Sequence, residues 1–210
     1  MFKLFYFNPL RECTYVLSGD RGECVIIDPG ACGEREHARL VEYIEASGLT
    51  VKNILLTHGH FDHTLGLSPA ARRWPVPVYM SGLDRGVFDS AVGICDALGL
   101  PYQPYDGQML PLEEGPLQVL SGVKMEVIAT PGHTQGSVCF YLPEEGLLLA
   151  GDTIFMGSVG RSDHPGGNFD QLMDSIRTKI STLPAATRIL PGHGKETTVE
   201  AENATNPFLQ

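Results

Sequence analysis

A chain of 210 residues with a formal net charge of −10 has no basic face for phosphate, which argues against a nucleic-acid partner. Hydrophobic content of 42% and charged content of 19% describe a globular chain, read as a single domain over residues 1–210, and no apolar run is long enough to span a bilayer. The 5 cysteines are odd in number and form no C-x-x-C, which suits free thiols in a reducing cytoplasm better than a disulfide framework.

In chain order, residues 2–7 read as a first strand rather than a signal peptide. Strands over 13–18 and 23–28 follow, with Gly19-Asp20-Arg21-Gly22 as a hairpin turn. Leu40, Val41 and Ile44 have helical spacing, so 34–47 is a predicted helix that Gly48 closes. The run 51–56 is the next strand, completing a β-α-β unit. A helix around 70–73, a strand at 76–80 and a helix over 84–98 come next. Residues 101–116 are rich in Pro and Gly and read as loop. Strands are expected at 117–120, 124–129, 137–142 and 147–150. Asn168 is positioned to cap a helix over 169–181, with a short strand at 188–190 and a terminal helix at 196–204 behind it.

Between the strand at 51–56 and the helix around 70 lies Thr57-His58-Gly59-His60-Phe61-Asp62-His63. Three of the chain's 7 histidines and one carboxylate fall in a stretch expected to be loop. Imidazoles and a carboxylate at that density make a site for zinc, or for iron or manganese. The device recurs along the chain. Apolar runs end in small-residue turns just before His133, Asp152 and His193. Strands that all present such groups at their ends would focus them on one sheet edge, where α/β sites form. The set then offers seven ligands, His58, His60, Asp62, His63, His133, Asp152 and His193, enough for two divalent ions with room for a water.

These motifs, with Asp28-Pro29-Gly30, Gly160-Arg161-Ser162-Asp163 and Pro165-Gly166-Gly167, resemble the metallo-β-lactamase superfamily, specifically its glyoxalase II-like (hydroxyacylglutathione hydrolase) branch. The resemblance implies an αββα four-layer sandwich with metals at one edge. It implies His58, His60 and His133 on one ion, Asp62, His63 and His193 on the second, and Asp152 bridging both. It implies Asp28 as a support behind the site. β-Lactamases of this fold usually lack the bridging aspartate, and the diiron electron-transfer members carry Glu where this chain has His60. Longer glyoxalase II enzymes add a C-terminal helical domain that helps hold glutathione, and the chain is expected to be a short form without it. Arg161 and Asp163 align with their glutathione-contacting Lys and Tyr, and Phe140 with another glutathione-binding tyrosine. Arg161 is thus a candidate for a substrate carboxylate, or for a pair with Asp163.

The expected reaction is hydrolysis of a thioester of the S-D-lactoylglutathione type, a small acyl-thiol substrate. Two cations sharing a water lower its pKa towards neutrality, and the hydroxide attacks the carbonyl. Asp62, a ligand first, is the candidate to orient that water or relay its proton. The rival is a persulfide dioxygenase on the same fold, with a single iron at His58, His133 and Asp152. A non-catalytic scaffold is the third reading, and an intact ligand set weighs against it.

Overall fold

The computed structural model describes residues 1–19 and 21–210. Two six-stranded sheets form its centre. The N-terminal sheet runs in sequence order: β1 (Phe2–Phe7), β2 (Glu12–Ser18), β3 (Glu23–Ile27), β4 (Thr50–Leu55), β5 (Val78–Met80) and β6 (Met109–Pro111). β1 to β3 pair antiparallel. β3 to β6 pair parallel, because helices carry the chain back each time: α1 (Gly33–Ala46), then α2 (Phe61–Thr64) with α3 (Leu67–Arg73), then α4 (Arg85–Leu98).

The C-terminal half repeats the plan. Its strands are β7 (Gly115–Leu117), β8 (Met125–Ala129), β9 (Val138–Leu142) and β10 (Leu147–Gly151). A two-stranded hairpin follows, β11 (Ile154–Phe155) and β12 (Ser158–Val159). Helix α5 (Phe169–Ser175) continues in a wider turn over Ile176–Ile180. β13 (Arg188–Pro191), β14 (Thr197–Thr198) and α6 (Val199–Thr205) end the chain. The sheet order is β14-β13-β10-β9-β8-β7, with β13 parallel to β10.

Side-chain alternation builds the layers. Tyr15, Leu17, Val25 and Ile27 of one sheet meet Val127, Phe140, Leu142 and Leu149 of the other, forming a core between the sheets. The intervening Val16, Cys24 and Ile26 point outward onto Leu40 and Ile44 of α1 and Leu67 of α3. Cys139, Tyr141 and Leu148 likewise cover Leu172 and Met173 of α5 and Ile176 beyond it. This is the αββα sandwich expected from sequence.

Local expectations differ at three places. Residues 101–116 hold β6 and the start of β7, both three-residue strands. Their Pro and Gly content conceals them, and pairing with β5 and β8 makes them strands. Residues 61–64 form a helical turn instead of loop, so Asp62 and His63 ride on α2. The terminal helix starts at Val199, since Thr197–Thr198 pairs with β13 and the Thr198 side chain caps Ala201 N. Asp20 of the expected hairpin turn lies outside the described residues.

Among the described residues every cysteine is free, and burial pushes the Cys13 and Cys24 thiols up to about 12, so they act as small hydrophobes. No described helix is long and apolar enough to cross a membrane.

Candidate metal centre

Four strand ends meet at one edge of the sandwich. β8 and β10 both run antiparallel to β9, so they share a direction, and β13 is parallel to β10. Their C-terminal ends therefore face the same way and deliver His133, Asp152 and His193. β4 of the other sheet delivers His58 and His60, and α2 adds Asp62 and His63. The Val138 amide donates to the Thr57 carbonyl at 2.9 Å, linking the two sheets beside the site.

The first group is His58, His60 and His133. His58 Nε2 lies 3.3 Å from His133 Nε2, and His60 Nδ1 lies 2.9 Å from the same atom. The outer nitrogens of His58 and His133 are engaged elsewhere. His133 Nδ1 donates to the Arg161 carbonyl at 2.6 Å, and His58 Nδ1 donates to Thr57 Oγ1 at 3.0 Å. The inner nitrogens of His58 and His133 are then bare lone pairs pointing at each other. Burial, then mutual repulsion among the histidines, holds His58 well below its ordinary pKa. The same causes bring His60 to about 3, and burial also lowers His133. Converging lone pairs without protons repel unless a cation lies between them, so these residues fit a metal ion.

The second group is Asp62, His63 and His193. His193 Nε2 donates to Asp62 Oδ2 at 3.1 Å, and His193 Nδ1 donates to the Leu10 carbonyl at 3.2 Å. Burial alone would lower both histidines. The neighbouring Asp152 and Asp62 outweigh it and raise His63 well above, and His193 above, their ordinary values. Burial would raise both acids too, yet the histidine charges, His63 first, hold Asp62 and Asp152 low.

Asp152 lies between the groups. Its Oδ2 is 3.6 Å from His133 Nε2 and 3.7 Å from His193 Nε2, and its Oδ1 is 3.4 Å from His63 Nε2. His63 Nε2 and Asp152 Oδ1 are both buried with no hydrogen-bond partner, a second sign that this pocket is built for an ion. A Cβ on Gly192 would stand 2.2 Å from Asp152 Oδ1 and 2.7 Å from His63 Cε1, so the turn before His193 must be glycine for these groups to approach.

Asp28 lies behind these groups, bonded to Thr57 and His63. It sits at φ 50°, in left-handed backbone. Its Oδ1 accepts from the Thr57 amide at 2.7 Å. Its Oδ2 accepts from Thr57 Oγ1 at 2.6 Å and from His63 Nδ1 at 3.0 Å. His63 is thus oriented with Nε2 towards Asp62 and Asp152.

A cavity of about 470 Å³ opens over the centre, with Leu10, Phe61, Ile94 and Phe155 among its walls. His60, Asp62, His133, Asp152 and His193 line it. Arg161 stands at its rim, paired with Asp163 through bonds of 3.0 and 3.1 Å. Phe140 is fully buried between the sheets and reaches no substrate.

Sequence reasoning missed three residues. Fully buried Asp84 accepts from the Gly59 amide at 2.8 Å, the Thr134 hydroxyl at 2.7 Å and the Gly136 amide at 2.6 Å. It staples the His58–His60 loop to the His133 loop, but in the sequence it is one aspartate before a helix. Buried Glu12 sits in a strand whose pattern gives no warning of it, and burial raises its pKa well above the carboxylate range. His164 lines the cavity within a loop whose motif drew attention to Arg161 instead.

A sequence model described as the Metallo-beta-lactamase superfamily matches residues 9–193. The chain belongs to that superfamily. Within this family of metallo-hydrolases it is 37% identical to a probable metallo-hydrolase, YqgX, of Bacillus subtilis (strain 168), across 96% of this chain and 94% of the relative. It is 36% identical to the hydroxyacylglutathione hydrolase GloC of Haemophilus influenzae, across 95% and 92%. Two solved structures superpose over 99% or more of the chain. One is the BLEG-1 B3 metallo-beta-lactamase, with TM-score 0.89, 35% identity and 100% of both chains covered. The other is TTHA1623 in a di-iron-bound form, with TM-score 0.88, 38% identity and 99% and 100% covered.

Proposed function

We propose that the protein is a hydrolase that uses two divalent metal ions to cleave a thioester of the S-D-lactoylglutathione type. The observation that carries this reading is the pair of intact triads with Asp152 between them. His58, His60 and His133 would hold one ion, Asp62, His63 and His193 the other, and Asp152 would serve both. Similarity to the H. influenzae hydrolase supports the substrate class, and similarity to the di-iron structure supports the two-ion count. Zinc suits the donor set, with iron or manganese as alternatives.

When bound, such ions acidify a water towards neutrality and polarise a carbonyl. The chain's own groups do the rest. Asp62 and Asp152 hold negative charge beside the cavity, and Asp62 can orient the water or relay its proton. Leu10, Phe61, Ile94 and Phe155 give the apolar parts of a substrate a surface to cover beside the charged groups. No strong acid is required at the leaving group, because a thiol of pKa about 8.5 departs readily as thiolate. Arg161 at the rim can meet a substrate carboxylate when it lets go of Asp163.

The test is metal analysis joined to assay of the purified protein. Close to two ions per chain, with cleavage of S-D-lactoylglutathione, is the expected result. One iron per chain, oxygen uptake on glutathione persulfide and no thioester cleavage would hand the site to a dioxygenase. Opening of a β-lactam ring without thioester cleavage would overturn the reading in the other direction.

A further inference from the structure

A second cavity of about 480 Å³ lies beside the first, between α4 and residues 164–166. The two share His60, Ile94 and His164, so they are arms of one space. Their chemistry differs. The metal arm carries Asp62, Asp152, His193 and Arg161. Among the described residues, the lateral arm is lined by no Lys, Arg, Asp or Glu. Its walls are largely apolar, with Leu83, Val87 and Pro165 among them. Leu83 is 74% exposed and Ile94 38%, apolar surface that the fold itself leaves in water.

His164 stands at the junction. Its ring lies 4.7 Å from that of His60 and 5.0 Å from that of His133, and neither nitrogen reaches solvent or has a hydrogen-bond partner among the described residues. Among the described residues it falls outside every group of side chains that could hold an ion. A spare polar group buried where two arms meet is what a substrate's polar atom would satisfy.

We propose that the lateral arm is the acyl side of the substrate site and takes an uncharged aliphatic acyl chain, while the charged thiol carrier lies along the metal arm and leaves past Arg161. This rests on the thioester reading above and names the half of the substrate that sets specificity. Charge complementarity decides the orientation. A carrier bearing carboxylates finds no cation in the lateral arm, whereas a hydrocarbon chain finds Leu83, Val87, Ile94 and Pro165, which gain by being covered, with Ser90 and Gln135 the uncharged polar groups beside them.

The test uses the metal-loaded protein and N-acetylcysteamine thioesters of acetate, butyrate and hexanoate. The expected kcat/KM climbs about fourfold per methylene added, the value of burying a CH₂. Gly86 lines the arm on α4, and a Cβ there meets nothing within 4 Å, so Gly86→Phe fills the arm without straining the helix. That variant should abolish the climb and leave acetyl turnover unchanged. A flat series, or a climb that Gly86→Phe leaves intact, overturns the proposal. If no thioester is cleaved at all, the hydrolase reading fails, and calorimetry with the thioether S-hexyl-N-acetylcysteamine decides the arm separately. Binding that Gly86→Phe removes supports it; the same weak binding for hexyl and ethyl thioethers overturns it.

Discussion

The two halves of the metal centre solve opposite electrostatic problems. The His58–His60–His133 group is three imidazoles with no acid among them, kept neutral by burial and by one another. The Asp62–His63–His193 group mixes acid and base, and its ion pairs already neutralise much of its charge. The supports differ as well. Asp84 ties down the loops of the first group, and Asp28 orients His63 of the second. The lesson is that two adjacent sites built from similar residues need not respond alike to protons or to cations. The first has nothing to expel before an ion enters, while the second supplies negative charge but must first release protons.

The hardest blow to this arrangement is Asp152→Ala, which removes the carboxylate that faces both groups. Turnover of S-D-lactoylglutathione should fall at least about a thousandfold, with loss of bound metal measured in parallel. Unchanged turnover contradicts the assignment of Asp152 to both ions. The supports come next. Asp28→Asn should weaken the second group's ion, and Asp84→Asn the first group's, each about tenfold to a hundredfold. Competition titration against a chromophoric chelator reads this, and both variants weakening the same ion would break the comparison.

Acidity sharpens it further. His63 and His193 have raised pKa values, so around neutral pH in the metal-free protein protons compete with a cation there more than at an ordinary imidazole. Affinity there should rise with pH, about tenfold per unit for each proton displaced. His58 and His60 are depressed and carry none at that pH, so affinity there should be flat. Zinc calorimetry in two buffers of different ionisation enthalpy separates the two, and equal proton release at both sites refutes the contrast. The smallest effect belongs to Arg161→Ala. The residue is exposed and already paired with Asp163, so KM should rise several-fold with kcat unchanged.

The metal centre was more legible in the sequence than the fold around it. The crowding of His58, His60, Asp62 and His63 is local and visible, and the strand-then-turn device at His133, Asp152 and His193 predicts convergence at one edge. The helical turn under Asp62 was not legible, because four residues are too few to show a period and tertiary packing stabilises the turn. Strands β6 and β7 were hidden for a related reason. A three-residue strand has almost no pattern of its own and exists through its partner. Asp84, Glu12 and His164 are single residues whose neighbours in the chain say nothing about them.

The sequence by itself determined the chemistry available: which imidazoles and carboxylates exist, that they stand at strand ends, and that alternating apolar runs would form a layered α/β body around them. Tertiary structure decided which nitrogen faces which oxygen, and hence which groups are charged. It also decided which apolar side chains remain uncovered beside the site. Both depend on distances of a few ångströms between residues far apart in the chain, and on the loss of water there, quantities that composition and spacing do not encode.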